Sequence, residues 1–177
     1  MGFTPFQRPH PPLEMGAQSE GATRRAARLT DGVFFGPQVA WRDIGKLAGV
    51  FREARRQTPG AGPGSVGASR SLIVGRDCDS ARAAAAEYLE KTFAMYRRWE
   101  MQERGMAPLQ LSADIALDDW TVYGSPRDCV ETLQRAAEMG LDRIGFTIYS
   151  LPREAPARID YMQMIAEQVL KPAGALA

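Results

Sequence analysis

Few residues in this chain are of types that do chemistry. The one histidine, His10, stands between prolines with no Ser, Cys or carboxylate partner at its side, so it reads as a structural or solvent-facing residue rather than a base. Cys78 and Cys129 lie near the starts of helical segments, where a thiol pKa can fall, but they lack metal-type spacing and read as packed, free thiols. No catalytic residue can be assigned, and no metal site is expected. The stretch that does offer chemistry is Gly16-Ala17-Gln18-Ser19. Small residues there let backbone N–H groups approach an anion, a following helix N-terminus adds partial positive charge, and the Ser19 hydroxyl can donate a further hydrogen bond. The same residues also suit any short strand-to-helix loop, so their chemistry alone leaves both readings open.

The elements that must position this turn follow from periodicity. Leu13 to Gly16 can be a short strand, and Gln18 or Ser19 can cap a helix over Glu20 to Leu29 with Ala22, Ala26 and Leu29 on one buried face and the arginines on the other. Asp31-Gly32 closes that helix. Val33-Phe34-Phe35 is the next apolar run, ended by Gly36-Pro37, and residues 41–56 repeat Ile44, Leu47, Ala48 and Phe51 at helical spacing. Residues 58–69, rich in Gly, Pro, Ala and Ser, precede a strand rather than follow one and read as a connector. Ser71 to Gly75 is expected to be a strand, followed by a long alanine-rich helix. In that helix Leu89, Phe93 and Tyr96, with Trp99 nearby, suit either core contact or a cover over a ligand pocket. Residues 105–119 look irregular. Ser125, Pro126 and Asp128 mark a helix start, Gly140 its end, residues 144–149 a strand, and 155–170 a last amphipathic helix.

Alternation of this kind means an α/β fold with a parallel sheet and crossover helices. A full eight-unit barrel typically needs about 250 residues, so about four strand-helix units fill only half of a TIM-type (β/α)8 barrel, expected as one domain. The 177 residues, 45% hydrophobic, are enough for a core. With 22 Lys+Arg against 21 Asp+Glu, neither nucleic acid nor an anionic membrane is an expected partner. The pairs Arg24-Arg25, Arg55-Arg56 and Arg97-Arg98 each read as the solvated face of a helix. No signal-peptide layout or membrane-length apolar run is seen, and with two unpaired-looking cysteines a cytoplasmic location is expected.

Three stretches, RPHPPLEMGAQSEGATRRAARLTDG, SLIVG and VYGSPRDCVETLQRAAEMGLDRIGF, occur in an order that resembles the bacterial luciferase-like monooxygenase family. The resemblance implies a barrel enzyme that uses reduced flavin mononucleotide (FMN) and dioxygen, or a deazaflavin coenzyme, to oxidise a small organic substrate, with the cofactor at the C-terminal strand ends. It implies that Gly16, Ala17, Gln18 and Ser19 form the phosphate-binding turn, that Gly36 lets the cofactor pass close to backbone, and that the segment from Tyr88 to Trp120 is a substrate-side insertion. The resemblance begins at the family's fifth strand, which implies that the chain is the C-terminal half of the (β/α)8 barrel. A half barrel exposes strand edges, so the resemblance implies a fragment of a longer chain, a homodimer, or pairing with a missing N-terminal half. A non-catalytic flavin-binding or interaction protein derived from the same fold is the competing reading. Glu14 departs from the apolar residue usual in relatives: it either faces the polar mouth of the site or pairs with an arginine.

Overall fold

The structure, a computed structural model, describes residues 6–8, 10–98, 113–149 and 151–174, with the side chains of 96–98 and 113–116 outside that description. The elements in chain order are β1 (Glu14–Ala17), α1 (Glu20–Leu29), β2 (Gly32–Phe35), α2 (Trp41–Arg56), β3 (Ser65–Val74), α3 (Cys78–Arg98), α4 (Ala113–Trp120), β4 (Thr121–Gly124), α5 (Pro126–Glu138), β5 (Arg143–Ile148) and α6 (Ala155–Ile165), which continues as a π-helical turn over Ala166–Leu170. They fall into two compact units. The first runs up to Ser69 and adds Met139–Gly145, and the second holds Arg70–Glu138 and the chain from Phe146.

In the first unit β1 pairs with β2 and β2 with the start of β3, both in parallel, so that Glu14, Gly32 and Ser65 share one level and Gly16, Phe34 and Gly67 another. Parallel neighbours require a crossover, and α1 and α2 supply it. Alternation then gives the sheet two unlike faces. Ala17, Val33, Phe35, Val66 and Ala68 are all buried on the face packed by helices, where Ala26, Ala27, Ile44 and Phe51 are fully buried too. The other face carries Glu14, Ser65 and Arg143, a carboxylate, a hydroxyl and a guanidinium joined in one network. Ser65 Oγ donates to Glu14 Oε1 at 3.0 Å, Arg143 Nη2 donates to Ser65 Oγ at 3.3 Å, and Arg143 and Glu14 form an ion pair. Glu14 thus pairs with an arginine, at the strand end away from the Gly16–Ser19 turn.

Arginine also works behind the sheet. Arg55 is buried and donates to three backbone carbonyls: Nε to Gly62 at 2.9 Å, and Nη1 to Ala27 at 3.0 Å and Thr30 at 2.7 Å. This corrects the expectation that Arg55-Arg56 lies on a solvated face. Only Arg56 is exposed, because the α1 C-terminus and the loop before β3 leave carbonyls that a buried fork of donors satisfies. Arg52 does similar work at its edge, donating to the Gly140 carbonyl at 2.7 Å. Gly140 ends the α5 segment with φ +91°, a conformation that favours glycine.

The second unit takes the end of β3, which pairs in parallel with β4 from Ser71↔Thr121 to Val74↔Gly124. One apolar cluster in it joins Ile73 of β3 to Ala81, Ala85, Leu89 and Phe93 of α3 and to Leu117 and Trp120 of α4. Phe93 meets Trp120 edge-on at 5.2 Å. Leu89 and Phe93 are therefore core; the Tyr96 side chain and Trp99 lie outside the described residues. At the start of α5, Ser125 Oγ accepts from Asp128 N while Asp128 Oδ2 accepts from Ser125 N, a reciprocal cap. The Ser125 hydrogen bonds hold the Asp128 carboxyl below its ordinary pKa.

Besides Arg55, four sequence expectations change. Leu29 is exposed rather than on the buried face of α1, which Thr23, Ala26 and Ala27 form instead. β3 begins at Ser65 rather than Ser71, so the end of the supposed connector over 58–69 is strand. Its small and polar residues hide this, and Phe34 of the neighbouring strand fills the space they leave. The short strand β4 went unread because four residues carry no periodicity. Residues 113–120 are helical where an irregular stretch is expected, anchored by buried Leu117 and Trp120; residues 105–112 lie outside the described ones.

Candidate functional site

Of the expected turn Gly16–Ser19, Gly16 and Ala17 are the last two residues of β1, and only Gln18 and Ser19 link the strand to the N-terminus of α1. Ser19 is the N-cap, with extended backbone (φ −145°, ψ 161°). Its Oγ accepts from Ala22 N at 3.4 Å, and its carbonyl accepts from Thr23 N at 2.9 Å. A hydroxyl that accepts one long hydrogen bond keeps its own proton for another partner. Ala17 is buried and anchors the turn, whereas Gly16, Gln18 and Ser19 are exposed. A Cβ placed on Gly16 would meet nothing nearer than the Phe34 carbonyl at 4.0 Å. The glycine therefore leaves open space at the turn without being needed for the fold.

Register brings Gly36 to the neighbouring strand end. Ala17 lies opposite Phe35, and Gly36 is the next residue along. A Cβ on Gly36 would lie 2.4 Å from Gln38 Oε1, so its missing side chain is replaced by a flexible amide. The five residues singled out from the sequence, Gly16, Ala17, Gln18, Ser19 and Gly36, thus occupy adjacent strand ends of one unit.

Charge around the turn comes from Glu20, in the first turn of α1, and Lys46 of α2, whose Nζ lies 2.7 Å from Glu20 Oε1. The Lys46 hydrogen bond and charge lower the Glu20 pKa, and the carboxylate raises that of Lys46 in return. Both are exposed, so their contribution to stability is small.

The cysteines and the histidine take no part in this turn. Cys129 is fully buried, and burial pushes its thiol up to about 12, while Cys78 is exposed. The raised value means the native state holds the proton that the unfolded thiol releases near pH 9. Stability from this group is present below about pH 9 and is lost as pH rises toward 12. Iodoacetamide at pH 8 should accordingly modify Cys78 within minutes and leave Cys129 intact until denaturant is added, as read by intact-mass spectrometry. His10 is exposed, with Nδ1 2.8 Å from the Pro11 carbonyl oxygen. Among the described residues no group of His, Cys, Asp and Glu could hold a metal ion, and no helix is long and apolar enough to cross a membrane.

Sequence reasoning missed two features. Arg70 of β3 is buried, and burial lowers its pKa to about 10 against the opposing charge of Asp119. Ser71 Oγ donates to Tyr88 Oη at 2.8 Å, and the Tyr88 ring meets Tyr149 at 4.5 Å. The polar run Ser69-Arg70-Ser71, set before an apolar one, was the available signal.

The sequence model of the luciferase-like monooxygenase family matches residues 2–143. The chain belongs to the luciferase-like monooxygenase family. Solved structures share the fold. The monooxygenase RslO1 from Streptomyces bottropensis is 21% identical with a TM-score of 0.67, over 94% of this chain and 49% of that one. The FMN-bound oxygenating constituent of 3,6-diketocamphane monooxygenase from Pseudomonas putida is 14% identical with a TM-score of 0.65, over 92% and 49%. The coenzyme F420-dependent tetrahydromethanopterin reductase of Methanopyrus kandleri is 14% identical with a TM-score of 0.61, over 90% and 50%. No curated protein matches the sequence. The chain spans about half the length of the luciferase-like structures it matches. Its parallel α/β architecture is that of half a luciferase-like barrel.

Proposed function

We propose that this chain is the C-terminal half of a flavin-dependent oxidoreductase of the luciferase-like class, a single partial barrel in which Gly16, Ala17, Gln18 and Ser19 hold the cofactor phosphate and Gly36 admits the cofactor close to backbone. FMN is the cofactor of this reading, with a deazaflavin coenzyme as the alternative. The observation that carries it is the open position at Gly16 beside the exposed Ser19 cap of α1, where N–H groups and the hydroxyl can meet an anion. Bound and reduced, the flavin supplies the electrons with which dioxygen oxidises a small organic substrate. The chain's own residues bind and orient it. Ala17 fixes the turn by its burial, and Ser19 donates to the phosphate.

Purification in the presence of FMN tests this. Stoichiometric yellow protein after desalting, with flavin-dependent oxygen uptake when a flavin reductase is added, is the expected result. Colourless protein at saturating FMN would contradict it. The cytoplasmic location belongs to the same reading, and both cysteines are free thiols in keeping with it.

Completion of the barrel is part of the proposal, because the match covers only half of each neighbour. Either a second copy or a first half of the barrel supplies the remaining strands. Size-exclusion chromatography with light scattering distinguishes these: twice the chain mass indicates a second copy, and a stable complex only on adding a first half indicates the other.

Glu20 gives a further expected outcome. Its carboxylate pairs with Lys46 and Arg24 next to the turn, so Glu20→Gln removes a negative charge and releases two positive ones beside a phosphate. FMN affinity should rise by about 3- to 10-fold at low salt, and the gain should shrink at 0.5 M salt as screening takes over.

A further inference from the structure

The face of the first unit opposite its helices is nearly bare of side chains at the level of Gly16. Register sets Gly16, Phe34 and Gly67 side by side there. Phe34 is the one bulky group among these three, and it is half-buried where its strand neighbours Val33 and Phe35 are fully buried. Its ring occupies the side-chain space that two glycines leave vacant. A Cβ on Gly67 would lie 2.6 Å from Phe34 Cδ2 and 3.0 Å from Cε2, and one on Gly145 would lie 3.3 Å from Cζ. The first two distances forbid a side chain at 67 while the ring stays where it is. One level nearer the strand starts lies the polar network of Glu14, Ser65 and Arg143. On the other side, toward the strand ends, come the backbone of Gly36 and the Gly16–Ser19 turn.

We infer that Phe34 is a positioning residue, an apolar platform on which the planar ring of the cofactor rests while Gly16–Ser19 hold its phosphate. The inference rests on the flavin reading above and assigns a contact to a different part of the ligand. Glycines at 67 and 145 let the ring lie down across β3 and β5, and the same ring separates the charged network from the ligand. An aromatic face at the same level as Gly16 suits offset stacking with another planar ring.

Riboflavin, which lacks the phosphate, separates the two parts. Loss of a stacked aromatic pair should weaken riboflavin and FMN equally, by about 3- to 10-fold, in Phe34→Leu. Ser19→Ala should weaken FMN alone. Phe34→Trp keeps an aromatic platform and adds an electron donor in contact with the flavin, so it should retain affinity and quench bound-flavin fluorescence several-fold relative to wild type. Far-UV circular dichroism and thermal melts report whether each variant is folded, and the tryptophan variant serves if the leucine variant is not. Unchanged riboflavin affinity in folded Phe34→Leu, or unquenched fluorescence in Phe34→Trp, would overturn the platform while leaving the phosphate turn standing. Failure of the wild type to bind either flavin would overturn the underlying reading and this one with it.

Discussion

Gly16→Val should leave the protein folded and reduce its FMN affinity by at least about 100-fold. The two halves of that expectation come from different observations. A Cβ at position 16 meets only the Phe34 carbonyl at 4.0 Å, an ordinary contact, and the residue is exposed, so a valine is accommodated. Valine is also a good strand residue. The methyl groups would nevertheless occupy the open space beside the Ser19 cap and keep an anion from the N–H groups of the turn. A hydrogen bond to a charged group contributes about 1.5–3 kcal/mol, and losing two of them gives a factor of about 100 or more. Titration of intrinsic flavin fluorescence reads the affinity, and a thermal melt within about 2 °C of wild type shows that the fold survives. Ser19→Ala is milder: it should cost about 1 kcal/mol of stability through the lost cap and about 10-fold in FMN affinity.

The largest effect on stability is expected at Arg55. Its guanidinium is buried and satisfies the carbonyls of Ala27, Thr30 and Gly62, which tie the end of α1 and the entrance to β3 onto α2. Arg55→Met keeps much of the apolar stem but leaves three acceptors without their donors. The cost should be about 3–5 kcal/mol, or a fall in melting temperature on the order of 10 °C. Arg127→Met is the control. Arg127 is exposed and pairs with Glu131 four residues away on α5, so its loss should stay within about 0.5 kcal/mol. Equal melting temperatures for the two variants would refute the role given to Arg55.

Neither of these effects was equally visible in the sequence. The turn was legible because its signals are local: small residues, a serine cap and a ten-residue amphipathic helix stand within one short stretch. The bounds of α1 and α2 were legible for the same reason, since the Ser19 cap and the Asp31-Gly32 stop flank α1 and four apolar positions at helical spacing lie inside α2. Arg55 was not, because its acceptors lie at positions 27, 30 and 62, and only folding brings them together. The start of β3 was hidden likewise. Ser65 to Ser69 look like a connector until β2 is beside them and Phe34 lies over Gly67. Glu14 stood between two readings in the sequence, and the partner that decides it, Arg143, comes from β5 at the far end of the chain. Long-range polar pairs and glycines that make room for a neighbour are thus the features that one-dimensional patterns miss.

Wild-type affinity for FMN against riboflavin tests most directly whether Gly16–Ser19 hold a phosphate. Both ligands carry the same ring, so the difference between them reports the phosphate alone. Isothermal titration calorimetry at low salt should show FMN binding at least about 10-fold more tightly than riboflavin, with the difference shrinking as salt is raised. Equal affinities for the two, or tighter binding of riboflavin, would contradict the assignment of the turn.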